Sequence, residues 1–297
     1  MGDYASWNLD EGDELVPGRT IVKAIGGGNR YEVFLVWDAE LFSLAVAKVL
    51  RPDQAASERA LRDLAEEAEA LDALAHPVLI RGFDAVLEGE RPHVLIEHME
   101  GPSLRRLLKR GGALELDQLL PLALHVAGAL AYMHGRGYVH LDVKPDNIVM
   151  AIPPRLIDLS IARDVERAAR SRGPIGTDAY MAPEQCGAGA TGEIGPPADV
   201  WGLAATLHHC LSGHKPFPRE REAFRSSDPD VRFPQLHSPA RPLPAHVPPE
   251  IARLIADSLA SDPHNRPSAP EFAERLEPVV EKARSRLVFS RRGFRAR

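Results

Sequence analysis

The stretch VHLDVKPDNIVM, residues 139 to 150, determines how the rest of this sequence is interpreted. Asp142, Lys144, Asp146 and Asn147 lie within six residues, and apolar residues flank them on both sides. The pattern H-x-D-x-K-P-x-N fixes five residue types, so a chance match in a chain of this length has a frequency of about 1 in 10⁴. Polar groups at such density between apolar runs indicate a site that needs them for chemistry.

A further acidic residue follows this stretch at a short distance along the chain. The run RLIDLS predicts an apolar strand that ends at Asp158, eleven residues after Asn147. Carboxamide and carboxylate oxygens brought together suit Mg²⁺, which is a hard cation. Asp142 is then available to orient or deprotonate a hydroxyl group, and Lys144 offsets charge on a transferring phosphoryl group. The sequence therefore predicts a site where a metal, a phosphate and a nucleophile meet.

The overall composition is that of an ordinary globular protein. The chain has 297 residues, of which 44% are hydrophobic and 26% are charged, and this length allows one large domain or two lobes. A formal net charge of −6 argues against a general nucleic-acid-binding protein, so we expect no nucleic acid partner. Residues 284 to 297 depart from this balance, because they contain six Arg and no acidic residue.

Cysteine usage and the absence of long apolar runs predict a cytoplasmic protein. Cys186 and Cys210 are the two cysteines, without a C-x-x-C pattern, and they predict idle or buried thiols in a reducing cytoplasm. No run approaches 18 apolar residues and no signal-peptide core follows Met1, so we expect neither a membrane span nor a leader. Met1-Gly2 with Ser6 fits the short myristoylation pattern, which we attribute to chance.

The first part of the chain is predicted to be rich in strands and the second part helical. Short β-branched or apolar runs between turn residues predict strands at 18–26, 31–37, 43–50, 79–87 and 93–98. A helix is predicted from Glu58 to Ala75, and helical periodicity returns at 117–134, 198–212 and 249–260. The proline-rich segment 234–250 predicts a surface connection.

Two charged residues occupy positions where apolar side chains are expected. Glu67 completes the helical stripe of Leu64, Leu71 and Leu74, and Lys48 lies in the apolar strand SLAVAKVL. Taken singly, either side chain could lie at an edge and extend to water. Taken together, each supplies the partner that burial of the other requires. A paired Lys is held charged and extended, ready to meet a phosphate.

Three consecutive glycines, Gly26 to Gly28, lie between the first two predicted strands. Glycine allows backbone N–H groups to approach phosphate oxygens closely. Taken alone, the run is a weak signal, and it favours a plain hairpin turn over a phosphate-binding loop.

The order of these features along the chain resembles that of the eukaryotic-type (Hanks-type) Ser/Thr protein kinases. The resemblance covers about residues 18 to 280, and a bacterial, non-RD subtype is expected. The resemblance implies an α+β, bilobal protein kinase-like fold, with a small antiparallel β-sheet N-lobe containing one main helix and a larger, mostly helical C-lobe. The implied division is an N-terminal extension at 1–17, a kinase domain at 18–283 (N-lobe 18–98, hinge and C-lobe 99–283) and an Arg-rich tail at 284–297.

The resemblance implies that ATP binds to the N-lobe and the hinge. Lys48 would contact the α- and β-phosphates and pair with Glu67, and IEHMEG (96–101) would bind the adenine edge. The implied ATP-binding residues are Ile25, Gly26, Gly28, Val33, Val46, Lys48, Glu67, Ile96, Glu97 and Met99.

The resemblance also implies the catalytic roles. Asp142 is the expected base, Lys144 assists the γ-phosphate and favours Ser/Thr substrates over Tyr, and Asn147 and Asp158 hold Mg²⁺, with Mn²⁺ as an alternative.

GTDAYMAPE (176–184), DVWGL (199–203) and DPHNRP (262–267) resemble the family's substrate-positioning and structural segments. The residues concerned are Thr177, Glu184, Asp199 and Arg266, with Arg266 as the ion-pair partner of Glu184. Without the resemblance, Asp199 predicts a helix N-cap, and the other two charges predict separate surface groups.

Four departures from the family pattern are expected to matter. Tyr31 takes the place of the third loop glycine, Val46 that of the adenine-floor alanine, and Leu159-Ser160 that of Phe-Gly. Leu141 takes the place of an arginine that binds a phosphate on the activation segment in many family members.

Because that cation is missing, we predict activity that does not depend on activation-segment phosphorylation. Ser171, between Arg170 and Arg172, is the site at which to test this prediction.

The leading functional interpretation is an ATP- and Mg²⁺-dependent kinase that acts on Ser or Thr of an unidentified protein substrate and on itself. A pseudokinase used as a nucleotide-dependent binding module or scaffold is the first alternative, and a small-molecule phosphotransferase of the aminoglycoside-kinase type is the second. GTDAYMAPE argues against the second, because it belongs to a protein-substrate platform. The Arg-rich tail is expected to be a mobile end or linker, with membrane or acidic-partner contact as the alternative.

Overall fold

The computed structural model describes residues 4–187, 192–219 and 222–292, with side chains except those of 224, 225 and 283–292. The chain divides into two compact units. The first comprises Met1–Glu100 with Asp158–Ala162, and the second comprises Gly101–Ile157 with Arg163–Arg297. The division at Glu100 falls within the predicted hinge. The first unit holds an antiparallel sheet with one main helix and the second is mostly helical, so the predicted α+β class is confirmed.

The first unit is built on a six-stranded sheet with the order β1-β2-β3-β4-β6-β5. Its neighbouring strands are antiparallel throughout. The strands are β1 (Glu14–Val16), β2 (Arg19–Gly27), β3 (Tyr31–Asp38), β4 (Ser43–Leu50), β5 (Gly82–Val86) and β6 (His93–Glu97). Every strand except β1 was predicted. The sequence assigned β1 to an extension, but it pairs with β2 and belongs to the sheet.

The two faces of this sheet differ because side chains alternate along a strand. One face carries the buried apolar residues Phe34, Val36, Ala45, Ala47, Val49 and Leu95, which pack with Leu15 and Ile21. On the other face, Val33 lies opposite Lys48 and Val46 lies opposite Ile96 in the register. The strand pairing therefore assembles the predicted nucleotide-contacting side chains on one surface.

The residues before β1 pack on the sheet rather than extending from it. The indole Nε1 of Trp7 donates a hydrogen bond to the carbonyl of Leu50 at 2.7 Å. The guanidinium of Arg51 donates to the carbonyl of Ala5 at 2.7 Å and to that of Gly28 at 2.6 Å. Arg51 thus ties the N-terminal segment to the glycine run between β2 and β3.

Helix α1 (Glu58–Ala73) begins at Ser57, whose hydroxyl accepts a hydrogen bond from the Ala60 N–H and so caps the helix. It ends two residues before the predicted Ala75. Its buried residues are Ala60, Leu64, Glu67, Ala70 and Leu71, so the carboxylate lies within the apolar stripe as the sequence indicated.

The second unit is predominantly helical. The predicted helices are present at 116–135, 196–212 and 249–258, and the sequence missed the helices at 104–111 and 269–292. The helices are α2 (Leu104–Gly111), α3 (Leu116–Gly135), α4 (Val165–Ala169), α5 (Pro196–Ser212), α6 (Pro229–Arg232), α7 (Pro249–Ser258) and α8 (Ala269–Arg292). Short strands are β7 (Tyr138–Val139), β8 (Ile148–Val149), β9 (Arg155–Leu156) and β10 (Arg163–Asp164), paired β7 with β10 and β8 with β9.

Helix α3 is the central packing element of this unit. Its buried apolar residues include Leu119, Val126, Leu130 and Met133, and it packs against α5 and α8. By length and composition alone α3 is also apolar enough to cross a membrane, with half of that stretch buried inside the protein. The sequence did not indicate a possible membrane span here, because polar residues interrupt the apolar stretch of α3. Burial against two helices is what a core helix shows.

The Arg-rich tail and the proline-rich segment both differ in part from what the sequence predicted. The Arg-rich tail was expected to follow the last helix, but α8 continues to Arg292, so residues 284–292 are helical. Residues 293–297 lie outside the described part of the chain. The proline-rich segment 234–250 is a connection with one short 3₁₀ turn at Pro234–Leu236, except that its last two residues begin α7.

Candidate active site

Lys48, Glu67 and Asp158 form an ion cluster within the first unit. The Nζ atom of Lys48 lies 2.9 Å from Oε1 and 3.0 Å from Oε2 of Glu67, and 2.9 Å from Oδ1 of Asp158. Burial alone would lower the pKa of Lys48, but the two carboxylates raise it above its ordinary value. Lys48 therefore stays charged. Glu67 is 2% exposed, whereas the side chain of Asp158 is 35% exposed, so the cation has one sealed and one accessible partner.

Tyr31, the residue in place of the third loop glycine, packs against this cluster. The Nζ of Lys48 lies 4.5 Å from the centroid of the Tyr31 ring, which is the geometry of a cation–π contact. The phenol oxygen is buried and has no hydrogen-bond partner in the described part of the chain, and burial raises the pKa of Tyr31 to about 12. The sequence identified Tyr31 only as a departure in the loop and missed its contact with Lys48.

The glycine run differs in detail from the prediction. A Cβ atom at Gly27 would lie 2.6 Å from the carbonyl of Tyr31, and Gly27 has a φ of +149°, so this position requires glycine. Gly26 and Gly28, which were the predicted residues, have open space where a Cβ would stand. The run is exposed, as is Ile25.

The other predicted nucleotide residues lie on the strands. Val33, Ile96, Glu97 and Met99 are half-buried, and Val46 is buried. Val33, Val46 and Ile96 share the sheet face of Lys48, as their register requires. The first unit thus presents an apolar surface next to a buried ammonium group.

In the second unit, Asp142, Lys144, Asn147 and Thr177 form one hydrogen-bonded group. The Nζ of Lys144 donates to Oδ2 of Asp142 at 2.5 Å and to the hydroxyl of Thr177 at 2.7 Å. The Nδ2 of Asn147 donates to the same Oδ2 at 3.2 Å and to the Asp142 carbonyl at 3.0 Å. The other carboxylate oxygen, Oδ1, is buried and has no hydrogen-bond partner among the described residues. One oxygen of Asp142 is thus fixed by donors and the other is available to accept a proton.

Asp199 supports the backbone that precedes Asp142. Its carboxylate accepts hydrogen bonds from the N–H groups of His140 at 2.8 Å and Leu141 at 2.7 Å, and from Nε2 of His134 at 2.9 Å. It is not the N-cap of α5, because that position is Gly195. Burial alone would raise the pKa of the Asp199 carboxyl, but these hydrogen bonds hold it below its ordinary value.

Leu141 has a backbone conformation that is uncommon for a bulky residue. Its φ is +64°, in the left-handed region, and its side chain is 4% exposed. Its carbonyl accepts a hydrogen bond from Nε2 of Gln185 at 2.8 Å, and the carboxylate of Asp199 holds its N–H. The surrounding hydrogen bonds thus impose the conformation, and the side chain adds a buried apolar group where many family members have a cation.

Glu184 and Arg266 form a two-pronged ion pair in the interior of the second unit. Nη1 lies 2.6 Å from Oε1 and Nη2 lies 2.8 Å from Oε2, and both side chains are 0% exposed. The guanidinium also lies 4.9 Å from a ring centroid of Trp201 and donates to the carbonyl of Ala260 at 2.8 Å. This geometry indicates a structural pair, since no face of the guanidinium is left for a ligand.

The two residues predicted to hold a metal belong to different units: Asn147 lies in the second and Asp158 in the first. Asn147 uses Nδ2 to bind Asp142, which leaves Oδ1 as its metal-binding atom. Asp158 offers a partly exposed carboxylate. Oxygen donors of these two types fit Mg²⁺. Within the described ranges no cluster of three or more His, Cys, Asp or Glu side chains forms a separate metal site.

The backbone after Asp158 can accommodate Leu159 and Ser160, which stand where the family pattern has Phe-Gly. Leu159 is fully buried and fills an apolar position. Ser160 does not have a positive φ, whereas Asp158 has one of +69°, so the backbone at residue 160 does not require glycine. The sequence indicated that Ser160 would restrict the backbone, but the backbone conformation at residue 160 is one that serine adopts readily.

Comparison with known proteins shows the family to which the chain belongs. A family model described as the protein kinase domain matches residues 19–276. The serine/threonine-protein kinase PknL of Mycobacterium tuberculosis is 31% identical over 277 residues, which cover 90% of this chain and 67% of PknL. PkaA of Streptomyces coelicolor is 31% identical over 79% of this chain and 42% of its own length, and PknB of Mycolicibacterium smegmatis is 29% identical over 82% and 39%. The chain thus spans two thirds of PknL and less than half of the other two. It belongs to the protein kinase family, as a serine/threonine protein kinase of the bacterial Hanks type.

Proposed function

We propose that this protein transfers the γ-phosphoryl group of ATP to Ser or Thr hydroxyls of a protein substrate, and to its own, with Mg²⁺ as the metal. The observation that carries the proposal is the group of Asp142, Lys144, Asn147 and Thr177. Lys144 and Asn147 both donate to one oxygen of the Asp142 carboxylate, so the other oxygen, which has no partner among the described residues, is left to act as an acceptor.

The roles of the chain's own residues follow from this geometry. Asp142 Oδ1 accepts the hydrogen bond, and then the proton, of the substrate hydroxyl. Lys144 lies between Asp142 and Thr177, where its charge offsets that of the transferring group. Lys48 holds the phosphates of ATP while Glu67 keeps its ammonium group in place. Asn147 and Asp158 would each offer an oxygen ligand to Mg²⁺, and the metal would supply neutralisation of phosphate charge.

The test is a transfer assay with purified protein, labelled ATP and Mg²⁺, beside Asp142→Asn. General-base catalysis is typically worth about 10²–10⁴ in rate, so we expect the variant to lose activity by about that factor. Mapping the sites should place phosphate on Ser or Thr. Omission of the metal should abolish transfer, and replacing Mg²⁺ with Mn²⁺ tests the alternative metal. Equal rates for wild type and variant would contradict the proposal.

The pseudokinase alternative has no observation in its favour, because Lys48, Glu67, Asp142, Asn147 and Asp158 all carry competent side chains in ordered contacts. ATP binding without transfer in the same assay would nevertheless restore it. We also propose a reducing, cytoplasmic location. Its support is that Cys186 and Cys210 are free and buried, with burial raising the pKa of each thiol to about 12.

A further inference from the structure

A cavity of about 350 Å³ lies in the second unit, beside the segment that carries Thr177. That volume is within the range of ligand-binding pockets. Its lining comes from α2, from the segment that begins at Asp178, from the end of α5 and from the connection to α7. The side chains of His214 and Arg241 at its rim are exposed, so the cavity is accessible from outside.

The lining is basic in a chain that is acidic overall. Among the described residues of the lining, Arg105, Lys215, Arg219 and Arg241 are cationic and Asp178 is the one acidic residue, whereas the whole chain has a net charge of −6. The positive charge is therefore concentrated here and does not reflect the average surface.

The one acidic residue is already neutralised. The Asp178 carboxylate accepts hydrogen bonds from Nη1 of Arg219 at 2.7 Å and from Nε and Nη2 of Arg232 at 3.0 Å. Burial alone would raise the pKa of Asp178, but these two guanidinium groups hold it below its ordinary value. Asp178 is thus shared by two guanidinium groups while its charge also acts on Lys215, and the four cations of the lining still outnumber it.

Two titratable groups of the lining respond to this positive field. Burial, Arg105 and Arg219 lower the pKa of Lys215. Burial, Arg105 and Lys215 lower the pKa of His209 to about 4, so this histidine is neutral. An anion placed in the cavity would relieve this repulsion, whereas a cation would increase it.

The cavity adjoins the catalytic group. Asp178 follows Thr177, whose hydroxyl binds Lys144. Tyr180, in the same segment, hydrogen-bonds Nδ1 of His209 in the lining at 2.7 Å. The charge of Asp146, in the catalytic loop, also acts on Lys215. A substrate chain whose hydroxyl reaches Asp142 therefore passes near this lining.

We propose that this basic cavity binds an anionic side chain of the protein substrate, close in sequence to the phosphorylated hydroxyl, so that the kinase selects acidic substrate segments. The anion is the carboxylate of Asp or Glu or the phosphate of a previously phosphorylated residue. This inference rests on the proposed kinase function and specifies its substrate class.

The experiment measures kcat and KM for a set of Ser peptides in which Glu, phosphoserine, Gln or Lys is placed in turn at each position around the acceptor. We expect Glu or phosphoserine at one or two positions to raise kcat/KM over Gln by about tenfold, which corresponds to about 1.4 kcal/mol. The comparison of Glu with phosphoserine identifies which anion is preferred. The preference should shrink as the ionic strength rises from about 0.05 to about 0.5 M.

Two variants locate the effect. Lys215→Ala and Arg105→Ala should each reduce the ratio of kcat/KM between the Glu and Gln peptides by about threefold to fivefold. Lys215→Glu should favour the Lys peptide instead. Arg106→Ala is the matched control, because Arg106 follows Arg105 on α2 but is exposed and does not line the cavity. It should leave the ratio unchanged.

Equal kcat/KM for Glu and Gln peptides at every position would overturn the inference while leaving the kinase function intact. A preference that Lys215→Ala and Arg105→Ala do not alter would also overturn it. If no peptide is phosphorylated, the kinase proposal fails. The cavity is then judged by fluorescence anisotropy of the best Glu and Gln peptides, where equal binding overturns the inference and Glu-selective binding that depends on Lys215 supports it.

Discussion

Lys48–Glu67 and Glu184–Arg266 are both buried ion pairs, one in each unit, yet they are built differently. The Lys48 ammonium is shared between two carboxylates, and its second partner, Asp158, is partly exposed. The Arg266 guanidinium binds one carboxylate through two parallel hydrogen bonds, with Trp201 and backbone carbonyls around it. The first pair has an exchangeable partner, whereas the second has none. Burial and opposite charge therefore do not distinguish a functional pair from a structural one, but the remaining coordination does.

The largest expected effect is on the structural pair. Arg266→Met removes the partner of a fully buried carboxylate, and such a loss typically costs about 3–5 kcal/mol of unfolding free energy. Urea denaturation measures it. Arg275→Met is the control, because Arg275 pairs with Asp257 at the surface, where both side chains are about 40% exposed; its cost should stay below about 1 kcal/mol. Similar losses for the two variants would contradict the distinction.

The functional pair should respond in rate more than in stability. Lys48→Met removes the group proposed to hold the phosphates of ATP, and losing one such electrostatic contact typically lowers kcat by about 10²–10³. Stability should change less than in Arg266→Met, because Glu67 can take up a proton once its partner is gone. Lys23→Met, in an exposed position of β2, is the control for both measurements. A loss of stability without a loss of kcat would contradict the assignment.

His209 sharpens the comparison, because it is a buried base whose neighbours among the described residues include no carboxylate partner. Its pKa in the folded protein is about 4, against 6.5 in the unfolded chain. The unfolded state therefore binds the proton more tightly, so stability is complete above about pH 6.5 and falls as the pH decreases toward 4, by about 2–3 kcal/mol. His209→Gln should flatten this part of the pH–stability curve. The exposed His125→Gln should not; identical curves for wild type and His209→Gln would contradict the prediction.

The smallest expected effect concerns an ion pair that the chain does not build. Leu141 is buried and apolar, so a phosphate on the activation segment has no cation at this position. Ser171→Ala should therefore change kcat/KM by less than about twofold. Nη1 of Arg163 lies 3.4 Å from the Ser171 hydroxyl and gives the prediction a specific way to fail. Loss of transfer in a folded Ser171→Ala protein would show that Arg163 supplies the missing contact.

Strands β2 to β6, helices α1, α3, α5 and α7, and the pairing of two charged residues were predictable from the sequence, because each rests on local spacing. Lys48 in an apolar strand and Glu67 in an apolar helical stripe each indicated a missing partner, and the structure places them together. Asp199 was predictable only through the family resemblance, since the local pattern indicated an N-cap. The hydrogen bonds to residues 140 and 141 span more than 50 positions of the chain, which no local pattern encodes.

What the sequence missed depends on tertiary proximity. Tyr31 was recognised as a substitution in the loop, but its packing on Lys48 follows from the register of β3 with β4. The basic cavity was not visible in the sequence, because Arg105 and Lys215 are more than 100 residues apart along the chain. Asp178 in GTDAYMAPE offered a signal, since a carboxylate there requires cationic partners.

The hydrogen bonds from Arg51 to the carbonyls of Ala5 and Gly28 show that the folded domain begins before the region matched by the family model. The family match begins at residue 19, but the fold recruits Ala5, Trp7 and β1 upstream of it. A fragment trimmed to the homologous boundary would lose the indole bond to Leu50 and one of the two carbonyls that orient Arg51. The other carbonyl belongs to the glycine run, so trimming at the N-terminus would reach the loop expected to cover the phosphates. Expression designs should therefore retain the residues before β1.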